Sequence, residues 1–299
     1  MKSKVWLSAC VALALAFPMG ASAARPGEEG DPAVLAMMAA ANEQLRAMGL
    51  NLSVEQVEFF TFGESRPLNR AHQSGNRRVP GDPRRNADGN NMTYLVDQSD
   101  GNTASGLSAA DTEAGIDRAM ATWAAEPCMT TLLKRPDTGE DPDVFDALLG
   151  YGSVGTPFLA DIVEAGWMPR GFFEAQAPGG GRGIVAVTIT FTFRDPVTGE
   201  PTDIDGDNYL DTAFSEVYYN DNFGDPNGDR PANTWGLDVA LPRVDVETVS
   251  VHENGHSLEL GHFGPPPTAV MNPRYAGILH DLRPIDHAGI CAVWGSWPK

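Results

Sequence analysis

Three histidines and one glutamate in the last fifth of the chain have the spacing of a metal site. His252 and His256 stand four residues apart, which on a helix places both imidazoles on one face, about one turn apart. Such a pair can bind two positions of a tetrahedral zinc ion. Glu253 is a carboxylate that can accept a proton from a water activated by the ion. His262 can supply a third position only if the helix ends before it.

A histidine pair with this spacing also arises by composition alone, as two solvated side chains of a surface helix. The residues that follow favour the metal site. Residues 269–273 read AVMNP, a turn-forming stretch that contains Met271, and residues 286–290 predict a closing helix. The run HENGHSLELGH, followed by VMNPRY and DHAGICAVWG, resembles the metzincin zinc peptidases, and it is most similar to the matrixin branch and its secreted bacterial relatives.

The resemblance implies a set of roles and a fold. Zinc would be held by His252, His256 and His262, with Glu253 as the general base, and Met271 would support the site from beneath without binding the metal. The fold would be α/β (α+β type), with a twisted, mostly parallel sheet, an antiparallel edge strand, two long helices and a small C-terminal subdomain that carries the Met-turn. The implied activity is that of a zinc-dependent endopeptidase acting on a protein or peptide substrate.

One position departs from the family pattern, because Glu259 stands where the family has a turning glycine. A helix that continued to Glu259 would place it about 10 Å along the axis from His252, too far for a third ligand to the same ion. We therefore expect His262 to remain the third ligand. Two outcomes are open: either Gly261 makes the turn, or Glu259 makes it under strain.

An acidic loop predicts a second metal site, for calcium. Its carboxylates alternate along a short, turn-rich stretch, which brings oxygen ligands together as a Ca²⁺ ion requires. The candidate ligands are Asp203, Asp205, Asp207 and Asp211. The loop departs from an EF-hand, because Asn208 replaces the turning glycine and Phe214 replaces the bidentate glutamate. The alternative is a solvated acidic loop without an ion.

The beginning of the chain reads as a secretory signal peptide. Residues 1–23 contain Lys2 and Lys4, an apolar run and a small-residue cleavage site, Ala-Ser-Ala. The run is too short to span a bilayer, so we expect a secreted protein, extracellular or periplasmic, without a membrane anchor. In an oxidising compartment the two remaining cysteines, Cys128 and Cys291, could form a disulfide or stay as buried thiols.

The chain is acidic, and its formal net charge of -19 becomes -21 when the two lysines of the signal peptide are removed. Repulsion from phosphate backbones argues against nucleic acid as a partner. An acidic exported chain suits calcium binding, and the competing hypothesis for function is a secreted, calcium-stabilised binding or surface protein whose zinc site is structural or inactive.

The predicted organisation is a signal peptide at residues 1–23, an N-terminal extension at 24–88, and a catalytic domain at 89–299. The extension is either a propeptide or a part of the fold that stays attached. Within the domain we predict a first strand at residues 92–96, a helix capped by Ser108, and a strand at 184–193 whose apolar residues alternate with threonines. That strand either borders the cleft as a sheet edge or lies in the sheet interior.

Overall fold

The computed structural model describes residues 31–62, 75–85, 89–153, 155–223 and 234–298. The expected signal peptide lies outside these ranges, as do residues 24–30, 63–74 and 86–88 of the expected N-terminal extension. Within the described ranges, one seven-stranded sheet forms the centre of the fold and helices pack on it.

The strands of this sheet are β1 (Leu52–Thr61), β2 (Asn76–Arg78), β3 (Met92–Val96), β4 (Leu132–Lys134), β5 (Ile162–Met168), β6 (Ile184–Phe193) and β7 (Leu210–Asn220). They lie in the order β1-β6-β7-β5-β3-β4, and β2 also pairs with β7. β6 runs antiparallel to β1 and to β7, whereas the other pairs are parallel. Two short strands, β8 (Trp235–Gly236) and β9 (Val244–Asp245), pair separately. The predicted α/β class, with a mostly parallel sheet and an antiparallel edge, is confirmed.

The helices are α1 (Pro32–Ala47), α2 (Ala109–Ala124), α3 (Phe145–Leu148), α4 (Arg170–Gln176), α5 (Gly180–Gly183), α6 (Val246–Ser257) and α7 (Pro284–Trp294). The predicted capping residue of α2, Ser108, forms a capping box with Asp111. α2 packs against α6, and the indole of Trp123 donates a hydrogen bond of 2.8 Å to the carbonyl of Val251. This contact holds α6 against α2.

Apolar side chains fill both faces of the sheet. Along β7, Val217 and Tyr219 belong to one cluster and Tyr218 to the other, as the alternation of a strand requires. The first cluster includes residues of α2, α6 and α7, and the second includes residues of α1, α3 and α4. α2, α6 and α7 therefore lie on one face of the sheet, and α1, α3 and α4 lie on the other.

Two strands of the expected N-terminal extension belong to the same sheet. β1 pairs antiparallel with β6 over the length of both, and β2 pairs parallel with the first residues of β7. Of the two interpretations of residues 184–193, the interior one therefore fits the described residues, because β1 covers the outer side of β6. The antiparallel edge of the sheet consists of β1 and β6 together.

A disulfide joins Cys128, which follows α2, to Cys291 in α7. It links two elements on the same side of the sheet as α6. Among the described residues, no helix has both the length and the apolar character needed to cross a bilayer.

Candidate metal centre

The helix that carries the histidines begins and ends at residues suited to those positions. Asp245 is its N-cap and accepts a hydrogen bond of 2.8 Å from the backbone N–H of Thr248. The helix ends at Ser257, and Glu259 then adopts φ of 73°, in the left-handed region. Glu259 therefore makes the turn itself, whereas Gly261 is not among the residues with positive φ. The turn brings His262 back toward the helix.

The three histidines converge through their Nε2 atoms. Nε2 of His256 lies 3.1 Å from that of His252 and 3.2 Å from that of His262. Two nitrogen ligands of a tetrahedral zinc ion, each about 2.0–2.1 Å from it, are separated by about 3.3 Å. The arrangement therefore fits the size and coordination geometry of zinc.

Backbone carbonyls hold two of the rings on the side opposite the converging Nε2 atoms. Nδ1 of His252 lies 2.7 Å from the carbonyl oxygen of Val270, and Nδ1 of His256 lies 2.8 Å from that of Leu260. A carbonyl oxygen accepts a hydrogen bond but cannot donate one, so each Nδ1 is the protonated nitrogen and each Nε2 presents a lone pair. This is the tautomer that a metal ligand needs.

Burial keeps these two rings neutral. It lowers the pKa of His252 well below its ordinary value, and the neighbouring His256 and His262 lower it further. Burial, together with His262, lowers the pKa of His256 to about 4. Neutral imidazoles at neutral pH are ready to coordinate, since no proton has to leave first.

Glu253 lies beside the histidines with one oxygen bonded and the other free. Its Oε2 accepts a hydrogen bond of 2.5 Å from Oγ1 of Thr188 on β6. Its Oε1 is buried and has no hydrogen-bond partner in the described part of the chain. Burial raises the pKa of Glu253, against the effect of the Thr188 hydrogen bond. A buried carboxylate with an unpaired oxygen next to three converging ring nitrogens is a set of donors that a metal ion and a bound water would complete.

Met271 lies directly beneath the metal helix. A Cβ atom at Gly255 would come within 2.2 Å of Sδ of Met271, so the absence of a side chain there lets the two segments touch. The turn is held by Asp286 of α7, whose carboxylate accepts hydrogen bonds from the backbone N–H groups of Val270 at 2.9 Å and Met271 at 3.2 Å. Met271 therefore packs against α6 at Gly255.

Glu259 faces away from the histidines, toward β2. It is buried, and its Oε2 lies 3.8 Å from Nη1 of Arg77. Burial raises its pKa to about 7, although the charges of Arg78 and Arg77 lower it. The cluster of groups that could hold a metal here comprises the three histidines and does not include this carboxylate.

The acidic loop brings three of its four aspartates together. One carboxylate oxygen from each of Asp203, Asp205 and Asp211 lies within 4.8 Å of the others, whereas Asp207 is not in that group. Asp203 also accepts hydrogen bonds from the backbone N–H groups of Asp207 and Asn208. The loop is therefore closed by its own backbone.

Strand β1 covers the metal centre. The ring of Phe60 stacks on that of His252, with centroids 3.9 Å apart and planes at 14°. Thr61 then bonds to the segment after the Met-turn: its N–H donates to the carbonyl of Pro273 at 3.2 Å, and its carbonyl accepts from the N–H of Tyr275 at 2.8 Å. β1 thus runs from the sheet to the C-terminal part of the chain across the face of the site.

Several residues of this centre were not predicted from the sequence. Thr188 lies on a strand whose threonine face was recognised, but nothing local indicated that it would contact Glu253. Glu58 of β1 has an oxygen 3.0 Å from Nδ1 of His262, and no sequence pattern marks Glu58 or Phe60. Their roles follow from strand pairing between segments far apart in the chain.

Comparisons with known protein families and with curated proteins gave no match for this chain.

Proposed function

We propose that this chain is a secreted zinc-dependent endopeptidase. The observation that carries the proposal is the convergence of three histidine nitrogens beside a buried glutamate with one unpaired oxygen. His252, His256 and His262 would hold the zinc, which leaves a fourth position for water and substrate, as in catalytic zinc sites. The metzincin architecture, with a C-terminal subdomain behind Met271, belongs to the same proposal.

Zinc, when bound, polarises a substrate carbonyl and lowers the pKa of a coordinated water. Glu253 would accept a proton from the water that attacks the peptide carbonyl carbon, and it would pass the proton to the amine nitrogen as the C–N bond breaks. Thr188 holds one oxygen of Glu253, so the proton moves through the other, Oε1. The carbonyl oxygens of Val270 and Leu260 keep His252 and His256 in the coordinating tautomer throughout.

Access to this site depends on β1. An extended peptide that pairs with β6 competes with β1 for the same backbone groups. The part of β1 that has to move is its end beyond Glu58, where Phe60 lies on the ring of His252. We expect the full chain to cleave unfolded peptides more slowly than a variant in which this end is weakened.

The burial of the histidine site also supports a second candidate function. In this alternative the chain is a secreted binding or surface protein with a structural or inactive zinc site. His252 and Glu253 are both 0% exposed, which a purely structural site would also show. The number of protein ligands argues against this alternative, since structural zinc sites normally have four. The described residues supply three in this cluster.

We also propose that the loop at residues 203–211 binds calcium. The three converging aspartates provide hard oxygen ligands, and burial together with nearby Asp205 and Asp203 raises the pKa of Asp211. A divalent ion would relieve that crowding of negative charge. Its role would be to stabilise the fold.

The decisive experiment is cleavage of casein by the purified protein, with and without a zinc chelator, and after zinc is added back. Glu253→Gln should keep the zinc and the fold but reduce the rate by a hundredfold or more, as expected when a general base is lost. Glu43→Gln, on the exposed side of α1, makes the same chemical change away from the site and should have no effect. Wild-type protein that binds zinc but cleaves no unfolded substrate would favour the structural alternative.

A further inference from the structure

The third histidine is held differently from the other two. His252 and His256 face backbone carbonyls, whereas Nδ1 of His262 faces a carboxylate: Oε2 of Glu58 lies 3.0 Å away. Both side chains are buried, with 4% and 3% of their surfaces exposed for Glu58 and His262. Neither of these two atoms makes a hydrogen bond among the described residues, so the contact between them is a close approach of a donor and an acceptor.

The Glu58 carboxylate is itself fixed in place. Its Oε1 accepts a hydrogen bond of 2.9 Å from the side-chain amide of Gln56. In the pairing of β1 with β6, Glu58 lies directly opposite Thr188, the residue that holds Glu253. Side chains of directly opposed residues project from the same face of a sheet. One cross-strand pair therefore reaches both the third histidine and the glutamate.

We propose that Glu58 is a positioning residue of the metal centre, so that strand β1 is a working component of the site and not only its cover. A carboxylate that accepts the outer N–H of a ligating histidine fixes the tautomer and the ring orientation, and it raises the basicity of the coordinating nitrogen. Here that partner comes from the opposite end of the chain. This inference rests on zinc binding by the three histidines, as proposed above, and not on peptidase activity.

Metal binding and the pairing of β1 are then coupled. If β1 in its paired position raises zinc affinity, bound zinc must stabilise that pairing to the same extent, because coupling between two equilibria is reciprocal. Proteolytic removal of residues 24–88 would therefore take away a support of His262. The N-terminal segment would be retained in the zinc-loaded protein.

The test is zinc affinity of the full-length protein, measured by competition with a chromophoric chelator, for wild type, Glu58→Ala and Glu58→Gln. Loss of the partner of a ligating histidine typically weakens metal binding 10- to 100-fold. We expect that loss for Glu58→Ala and a smaller one for Glu58→Gln, whose amide oxygen can still accept a hydrogen bond. Glu55→Ala changes the same residue type on the same strand and should leave zinc affinity within about twofold of wild type.

Two further measurements keep the proposal open to refutation. The absorption spectrum of the Co²⁺-substituted protein should change in Glu58→Gln, because His262 would then contribute a different ligand field at the Co²⁺ ion. Hydrogen exchange of β1 in wild type should slow when zinc is added. Equal zinc affinities for wild type and folded Glu58→Ala, or a loss no greater than that of Glu55→Ala, would overturn the inference while leaving the proposed function intact. Wild-type protein that binds no zinc would overturn both.

Discussion

Replacing Glu259 by glycine tests how the chain tolerates its departure from the family pattern. Glu259 has φ of 73°, a conformation that costs a residue with a side chain about 1–2 kcal/mol and costs glycine almost nothing. Considered alone, Glu259→Gly should stabilise the fold by about 1 kcal/mol.

The contacts of the side chain act in the opposite direction. Glu259 is buried near Arg77, at 3.8 Å, and within the field of Arg78, which is fully buried. Removing one partner of a buried ion pair costs about 3–5 kcal/mol. We take the lower end of this range, because Arg78 still has an ion-pair partner: its Nη1 lies 4.0 Å from Oδ1 of Asp161. The net expectation for Glu259→Gly is a loss of about 2 kcal/mol, or about 4–8 °C in the melting temperature.

The pH dependence of this difference has a definite sign. Burial raises the pKa of Glu259 from 4.5 to about 7. A carboxyl group whose pKa is raised in the folded state contributes stability below its unfolded pKa, and that contribution is lost as pH rises through the folded pKa. The advantage of wild type over Glu259→Gly should therefore be larger at pH 5.5 than at pH 8.

Thermal melts at both pH values, with zinc in equal excess, measure this difference. Glu259→Gln is the matched control, because it keeps the backbone strain and the side-chain volume but cannot titrate. Relative to wild type, Glu259→Gln should lose only the pH-dependent part of the folding stability. A Glu259→Gly variant more stable than wild type at pH 8, where the carboxyl is ionised, would refute the ion-pair argument. Release of zinc by Glu259→Gly, with zinc retained in His262→Ala, would show that the carboxylate is a ligand.

Three other predictions concern the supports of the site. Calcium at 100 times its dissociation constant should stabilise the fold by about 2.7 kcal/mol in thermal melts, and Asp205→Ala should abolish the shift; equal melting with and without calcium would return the loop to a solvated acidic loop. Gly255→Ala should destabilise by about 1–3 kcal/mol in urea melts, because its Cβ would meet Met271, whereas Gly264→Ala, with nothing within 4 Å, should change stability by less than about 0.5 kcal/mol. Asp286→Ala should cost about 2 kcal/mol or more, since the N–H groups of the Met-turn lose their acceptor; unchanged unfolding would contradict that role.

Local patterns predicted the elements that depend on local physics. The capping box at Ser108 satisfies backbone groups within a few residues, so its sequence signal suffices. The alternation at residues 184–193 marked β6 with the observed bounds, Ile184–Phe193. The histidine spacing likewise placed three nitrogens together, because a helix and one turn determine their geometry.

Strand β5 shows where local patterns fail. The apolar run Phe158–Val163 indicates a possible strand in the sequence, but β5 spans Ile162–Met168. The difference arises because Glu164 interrupts the apolar run in the sequence yet is fully buried in the structure. It accepts hydrogen bonds from Tyr219 at 2.6 Å and Asn254 at 2.7 Å, partners that no local pattern reveals.

The same long-range polar contacts explain how α6 can be buried along its whole length while carrying many polar residues. Ser250 lies 2.9 Å from the hydroxyl of Tyr219, and Asn254 donates to Glu164, whose pKa burial raises to about 7. Glu253 has only one of its oxygens satisfied, and the unpaired one lies on the helix that also carries two of the converging histidines. An unpaired buried carboxylate oxygen costs about 1–3 kcal/mol or more unless a partner arrives. A metal ion and its water are partners of the right chemistry, so the cost of this arrangement is itself an argument for the site.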